Sequence, residues 1–207
     1  MPKAAPLTAA RPPREPAAPH CGFDGKLPSR GDFVGRGLPR SFLTPWQDWV
    51  GAAVSASRDA LGENWLPAWL EAPIWRFALP GGASGTDAVL GLLLPSVDRA
   101  GRHYPLTVAA VFEGRGPAPD PEAGRSWLDA VEALALDALA CDRTPEALTS
   151  ALAAVPPPAG GLEGAGAWWT AGSPRVPPRR LALAACPPPS WFAGMIDAAF
   201  ATDGRTA

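Results

Sequence analysis

Hydrophobic positions along this chain fall into two arrangements. Some are short continuous runs bounded by glycine and proline; others recur every three or four residues over longer stretches. The runs predict strands and the longer stretches predict amphipathic helices. Gly22–Leu27 reads as a short opening strand. Next, PWQDWVGAAVSASRDAL spaces Trp46, Trp49 and Val50 at i, i+3 and i+4, which marks one buried helical face. Ser41 or Thr44 is placed to cap this helix, with Pro45 at its first position. ENWLPAWLE then puts Trp65 and Trp69 four residues apart, but Pro67 argues against a long helix there.

Three strand-like runs follow: Ile74–Leu79, Ala88–Leu94 and Tyr104–Phe112. Their connectors, PGGASGT and PSVDRAGRH, are short enough to favour antiparallel neighbours. GLLL and TVAAVF are apolar throughout, as central strands covered on both faces would be. GRSWLDAVEALALDALACD is a helix with Trp127, Leu128, Val131, Leu134, Ala135 and Ala138 on one side. Thr144 is placed to cap another, PEALTSALAAV. Ala167–Thr170 and Leu181–Ala184 read as two more short strands, and SWFAGMIDAAF as a closing helix capped by Ser190. The predicted order is βα(α)βββααββα. It corresponds to an α/β (α+β) fold: a single mixed, largely antiparallel sheet flanked by helices. The leading βαβββαα, before the extra C-terminal ββα, is similar in order to longin and profilin-like scaffolds. That is an analogy of fold and carries no activity with it.

Composition adjusts this picture in a few places. A length of 207 residues suits one domain with a substantial core. Prolines cluster in 2–19, 117–121, 156–158 and 174–189 and read as stiff connections. Residues 1–20 are expected to be a disordered Pro/Ala-rich tail, and 21–207 a single domain. Of the nine tryptophans, Trp46, Trp49, Trp75 and Trp127 are expected in the core, and Trp65, Trp69 and Trp191 in a partly exposed patch. A net charge of −2 supplies no field for nucleic acid or a membrane surface. Three cysteines without CxxC spacing argue against a disulfide framework or zinc site. With no run of about 18 apolar residues and no signal-peptide h-region, a soluble cytoplasmic protein without cofactor is expected.

Candidate chemistry concentrates in two loops of similar make-up, LPSRGDFVGRG (27–37) and LPSVDRAGRHYP (94–105). Each leaves a strand through Leu-Pro-Ser and then places Asp and Arg close together. The residues singled out are Lys26, Ser29, Arg30, Asp32, Phe33 and Arg36 in the first, and Ser96, Asp98, Arg99 and Arg102 in the second. Gly25-Lys26 is not a phosphate loop, because Leu27-Pro28 follows where Ser or Thr and a helix are required. Arg30-Gly31-Asp32 has no extracellular context. A hydrolase would need Ser96, Asp98 and His103 as its triad, all from one loop and without a GxSxG elbow. Two other readings stay open. One is a structural corner, in which proline fixes the exits, Ser and Asp bond turn amides, and Arg reaches an opposing Asp or carbonyl. The other is a contact site for an anion or acidic partner, built from Lys26, Arg30, Arg99 and Arg102. If the loops are scaffold, Asp32 and Arg99 are expected to contribute to stability.

GFDGKLPSRGDFVGRGLPRSF, PWQDWV, APIWRFALPGG and GLLLPSVDRAGRHYPLTV together resemble the TagF family of type VI secretion accessory proteins. AWWTAG and SWFAGMIDAAF sit where that family carries a Trp-Trp strand and a final helix, so the resemblance spans about residues 21–200. Asp24 departs from it, since an aromatic is usual there, as does the proline-rich loop 174–180. The resemblance implies a cytoplasmic bacterial protein, not known as an enzyme, that acts post-translationally as a negative regulator of type VI secretion. It implies binding to the forkhead-associated scaffold protein of that system. Some members are fused or linked to a PP2C-type phosphatase; here such a phosphatase would be a separate partner.

Overall fold

The computed structural model describes residues 18–114, 116–158 and 163–201. Residues 1–17 of the expected tail lie outside these, and His20 already belongs to the first strand. The elements run β1 (His20–Gly25), β2 (Val34–Arg36), α1 (Arg40–Leu61), α2 (Trp65–Leu70), β3 (Trp75–Leu79), β4 (Ala88–Leu94), β5 (Leu106–Phe112), α3 (Arg125–Ala140), α4 (Pro145–Ala153), β6 (Ala167–Thr170), β7 (Arg179–Leu181) and α5 (Phe192–Ile196). All seven strands join one open sheet ordered β2-β1-β5-β4-β3-β6-β7. Every pairing in it is antiparallel.

The continuous apolar runs of β4 and β5 are explained by helices on both faces. One face of the sheet presents Trp75, Phe77, Val89, Ala109 and Trp168 to α1, α2 and α5. The other presents Phe23, Leu90, Leu92, Val108 and Ala110 to α3 and α4. Alternation along each strand divides these sets, as the pleat requires. Trp46, on α1, packs within 4.6 Å of the Phe77 ring and donates its indole N–H to Thr107 Oγ1 at 2.9 Å. Seven of the nine indoles donate to a partner inside the chain, which makes most of them core. Trp65 and Trp69 are among them, so the expected exposed patch loses two of its three members. Trp65 is buried with its N–H on Ser57 Oγ, and Trp69 is buried with its N–H on the Ser96 carbonyl. Trp191 remains half-buried, and so does Trp49, whose N–H reaches the Pro187 carbonyl.

Four local expectations shift. α1 begins at Arg40, ahead of both expected caps, Ser41 and Thr44, so Pro45 lies inside it. Phe42 explains this: it is buried against Trp46, and that packing draws the extra turn into the helix. β2 was not expected; its three residues are held by pairing with Phe23–Gly25. β7 covers Arg179–Leu181 instead of Leu181–Ala184, because Thr170 takes Arg179 as its partner and Trp168 takes Leu181. The closing helix is broken into the 3-10 turn Pro189–Trp191, α5, and a second turn Ala198–Phe200. Ser190 caps nothing, whereas the Asp197 carboxylate accepts from Ala199 N at 3.0 Å. Thr144 caps α4 as expected, accepting from Ala147 N.

Candidate functional site

β1 ends beside the start of β5, and β4 ends beside it on the other side: Asp24 pairs with Thr107 and Leu94 with Leu106. The two Leu-Pro-Ser loops therefore leave the same end of the sheet as neighbours. Gly25 permits their close approach. Its φ is +137°, and a Cβ there would run into the Pro105 carbonyl. The second loop is itself a hairpin, with Val97 bridged to His103 and Tyr104 N donating to the Ser96 carbonyl at 3.2 Å. Asp98 builds its tip. Its Oδ1 accepts from Ala100 N and Arg102 N, both at 2.9 Å, an Asx-type turn.

The other oxygen of that carboxylate joins the loops. Asp98 Oδ2 accepts from Lys26 Nζ and from Arg102 Nε, the latter at 2.8 Å, and both Lys26 and Asp98 are buried. Arg102 also donates to the Gly31 carbonyl across the gap. Ser96 Oγ donates to the Lys26 carbonyl at 2.7 Å, and Arg99 N to the Arg30 carbonyl at 2.9 Å. The Phe33 ring lies over the Lys26 ammonium, 5.0 Å from it, and meets Tyr104 edge-on. Burial alone would push the Asp98 carboxyl up. The hydrogen bonds from Lys26, from the Arg102 and Ala100 amides and from the Arg102 guanidinium outweigh it, and hold it well below the usual carboxylate range.

A second set of contacts fixes the outer half of the first loop. Ser29 Oγ donates to the Arg143 carbonyl at 2.8 Å, while Arg30 and Arg36 reach Glu146 at 3.3 and 3.8 Å. These tie the loop to the start of α4. Asp32 points to solvent, 3.7 Å from Arg102, and Phe33 is 57% exposed. Among the described residues the Arg99 side chain has no carboxylate partner. The side-chain contacts that join the two loops are made by Lys26, Asp98 and Arg102, whereas Asp32 only approaches Arg102 and Arg99 joins the first loop through its backbone N–H.

The hydrolase constellation does not assemble. Ser96 Oγ is committed to the Lys26 carbonyl, and Asp98 to Lys26 and Arg102. The His103 ring stands edge-on to Trp65 and Trp69 at 5.9 and 6.4 Å. Burial and the neighbouring Arg58 cation hold its pKa below the usual histidine value. Among the described residues no three His, Cys, Asp or Glu side chains converge as metal ligands. Arg143, Glu146 and Tyr104 were missed from the sequence. Glu146 was visible as an acidic residue in a helix's first turn, but its reach to loop 27–37 crosses more than a hundred residues.

These features define an α/β/α domain with a single antiparallel sheet and, at one end of it, a corner of two loops locked by a buried ion pair. A family model described as the TagF N-terminal domain, type VI secretion system-associated, matches residues 22–155. The crystal structure of PA0076 from Pseudomonas aeruginosa PAO1 is similar over 90% of this chain and 96% of that one, with 34% identity and a TM-score of 0.75. The chain belongs to the TagF family of type VI secretion-associated proteins. No curated protein matches it significantly. No helix among the described residues is long and apolar enough to cross a membrane.

Proposed function

We propose that this chain is a non-enzymatic, cytoplasmic accessory protein of the type VI secretion system, a post-translational negative regulator that binds the forkhead-associated scaffold protein. The observation that carries the binding reading is the state of the corner. Its reactive groups, Ser96 Oγ, the Asp98 carboxylate and the Lys26 ammonium, are each bonded to another part of the chain. What the corner offers outward is a rigid surface with Phe33, Asp32 and the Arg99 guanidinium exposed, a form suited to recognition. A PP2C-type phosphatase is a further, separate partner in this reading.

Calorimetric titration of the purified chain with the purified scaffold protein tests it, together with secretion of a type VI substrate on overproduction. Saturable binding and reduced secretion are expected. Absence of both sinks the proposal. His103→Ala distinguishes catalysis from binding when repression is read beside scaffold affinity: repression is expected to follow affinity in the variant, whereas repression abolished at wild-type affinity would favour an enzyme using that imidazole.

A further inference from the structure

A small apolar pocket of about 210 Å³ opens beside the corner. Pro28, Val97, His103, Leu70 of α2 and Leu139 of α3 line it, with Trp69 and Ser96 among its walls. That indole is fixed by its bond to the Ser96 carbonyl. Around the pocket stand Leu70 at 68% exposure, Leu66 one turn earlier on α2 at 44%, and Leu136 one turn before Leu139 at 47%. These are three of the four large hydrophobic side chains exposed among the described residues; the fourth, Phe33, belongs to the corner itself. So much apolar surface gathered at one end of a domain marks an interaction site.

Two features say what would cover it. The pocket is smaller than the roughly 300–1,000 Å³ of small-molecule sites, so it seats one anchoring side chain. No carboxylate lines it. Its flanks carry two guanidinium groups without a carboxylate partner among the described residues: Arg99 at the hairpin tip, and Arg58, which donates to the His103 carbonyl and lies 4.3 Å over the Trp65 ring. Arg102, at the same tip, is 59% exposed although paired. Glu71, just beyond α2, is taken up by Arg175, and Glu63 lies before the start of α2.

We infer that this pocket is the docking seat for an acidic amphipathic segment of a partner protein, which inserts one large apolar side chain between α2 and α3 and sets carboxylates against Arg58 and Arg99. The inference rests on the reading that the chain acts by binding. The leucines at i and i+4 on α2 and the flanking cations match how such a segment lies along a groove, and the charges contribute chiefly to rate and specificity.

The test is titration of the full chain with the forkhead-associated scaffold, using Leu70→Glu and Arg99→Glu. Both side chains are exposed and unbonded, so unchanged melting is the control. Leu70→Glu is expected to raise Kd roughly tenfold or more. Arg99→Glu is expected to raise it roughly threefold or more and to flatten its salt dependence. Wild-type affinity in Leu70→Glu overturns the docking seat while leaving the proposed function standing. Loss in Leu70→Glu with none in Arg99→Glu overturns the acidic chemistry. If wild type sediments as a dimer that Leu70→Glu dissolves, the occupant is a second copy and the acidic partner is overturned. If wild type does not bind the scaffold, the scaffold is not the partner, and secretion then decides the seat. At equal protein level, repression retained by Leu70→Glu overturns the seat, and repression lost supports it.

Discussion

Lys26 is the only lysine beyond the N-terminal stretch, and its position makes it costly to replace. Lys26→Met keeps the apolar stem but leaves the buried Asp98 with Arg102 as its only cation. Breaking a buried pair in this way costs about 3 kcal/mol, which for a chain of this length lowers Tm by roughly 6–12 °C; thermal melting followed by circular dichroism checks it. Removing both partners, in Lys26→Met with Asp98→Leu, is not expected to restore stability, because Asp98 Oδ1 also holds two hairpin amides. Since the folded pKa of Asp98 lies below its unfolded value, its contribution is complete above the ordinary aspartate range and is lost as pH falls through the folded value. Asp24, the departure from the family pattern, behaves in the opposite sense. Burial raises its pKa, and Gln47 Nε2 only partly offsets this, donating to both carboxylate oxygens at 3.0 Å. Its ionisation therefore opposes folding at neutral pH. Asp24→Asn is expected to raise the urea midpoint at pH 7, with the gain shrinking to nothing as pH falls to the ordinary aspartate pKa. A midpoint lowered at pH 7 would contradict this.

At the scale of elements, β4 and β5 were legible from the sequence because their apolar runs and short connectors admit few other arrangements. The pairing of two Leu-Pro-Ser loops at one end was legible from their shared composition, but the choice of partners within it was not. Lys26 meets Asp98 across 72 residues and Arg30 meets Glu146 across 116, and such pairings depend on strand order, not on local pattern. β2 and β7 have three residues each and exist because a neighbour pairs with them, so periodicity cannot announce them. Trp65 and Trp69 were misplaced because a broken, proline-containing turn looks like surface. The hydroxyl of Ser57 and the carbonyl of Ser96 give their indoles partners inside. Gly91, in the middle of β4, shows what such packing demands. A Cβ there would sit 2.7 Å from both Phe77 Cζ and the Val108 carbonyl, and the carbonyl belongs to the adjoining strand. Gly91→Ala is expected to destabilise by about 1–3 kcal/mol through overpacking, read as a lower urea midpoint with an unchanged slope.

For the molecule as a whole, the segment matched by the family model and the folded unit are not the same length. The match ends at residue 155, the end of the α3–α4 layer, while the opposite layer is completed by residues further along. Trp168 on β6 stacks parallel to Trp46 with ring centres 6.0 Å apart and lies 4.9 Å from Phe77. Phe192, Met195 and Ile196 of α5 belong to the same cluster, and the Met195 carbonyl accepts the Trp75 indole N–H at 2.9 Å. A fragment of residues 22–155 would keep most of the α3–α4 side, losing Cys21 and Trp169 from it, but would expose Trp46, Trp75 and Phe77 and open β3 as a bare edge where β6 now pairs. Burial of large aromatic side chains dominates core energetics, and an uncovered apolar edge strand invites association. The fragment is therefore expected to aggregate, or to remain as a dye-binding species without near-ultraviolet circular dichroism. Residues 18–201 should instead unfold in one cooperative transition. A soluble 22–155 fragment with native-like near-ultraviolet signal would mean that the β3–β4–β5 centre and α1 suffice, and that β6, β7 and α5 are an addition to the fold and not part of its core.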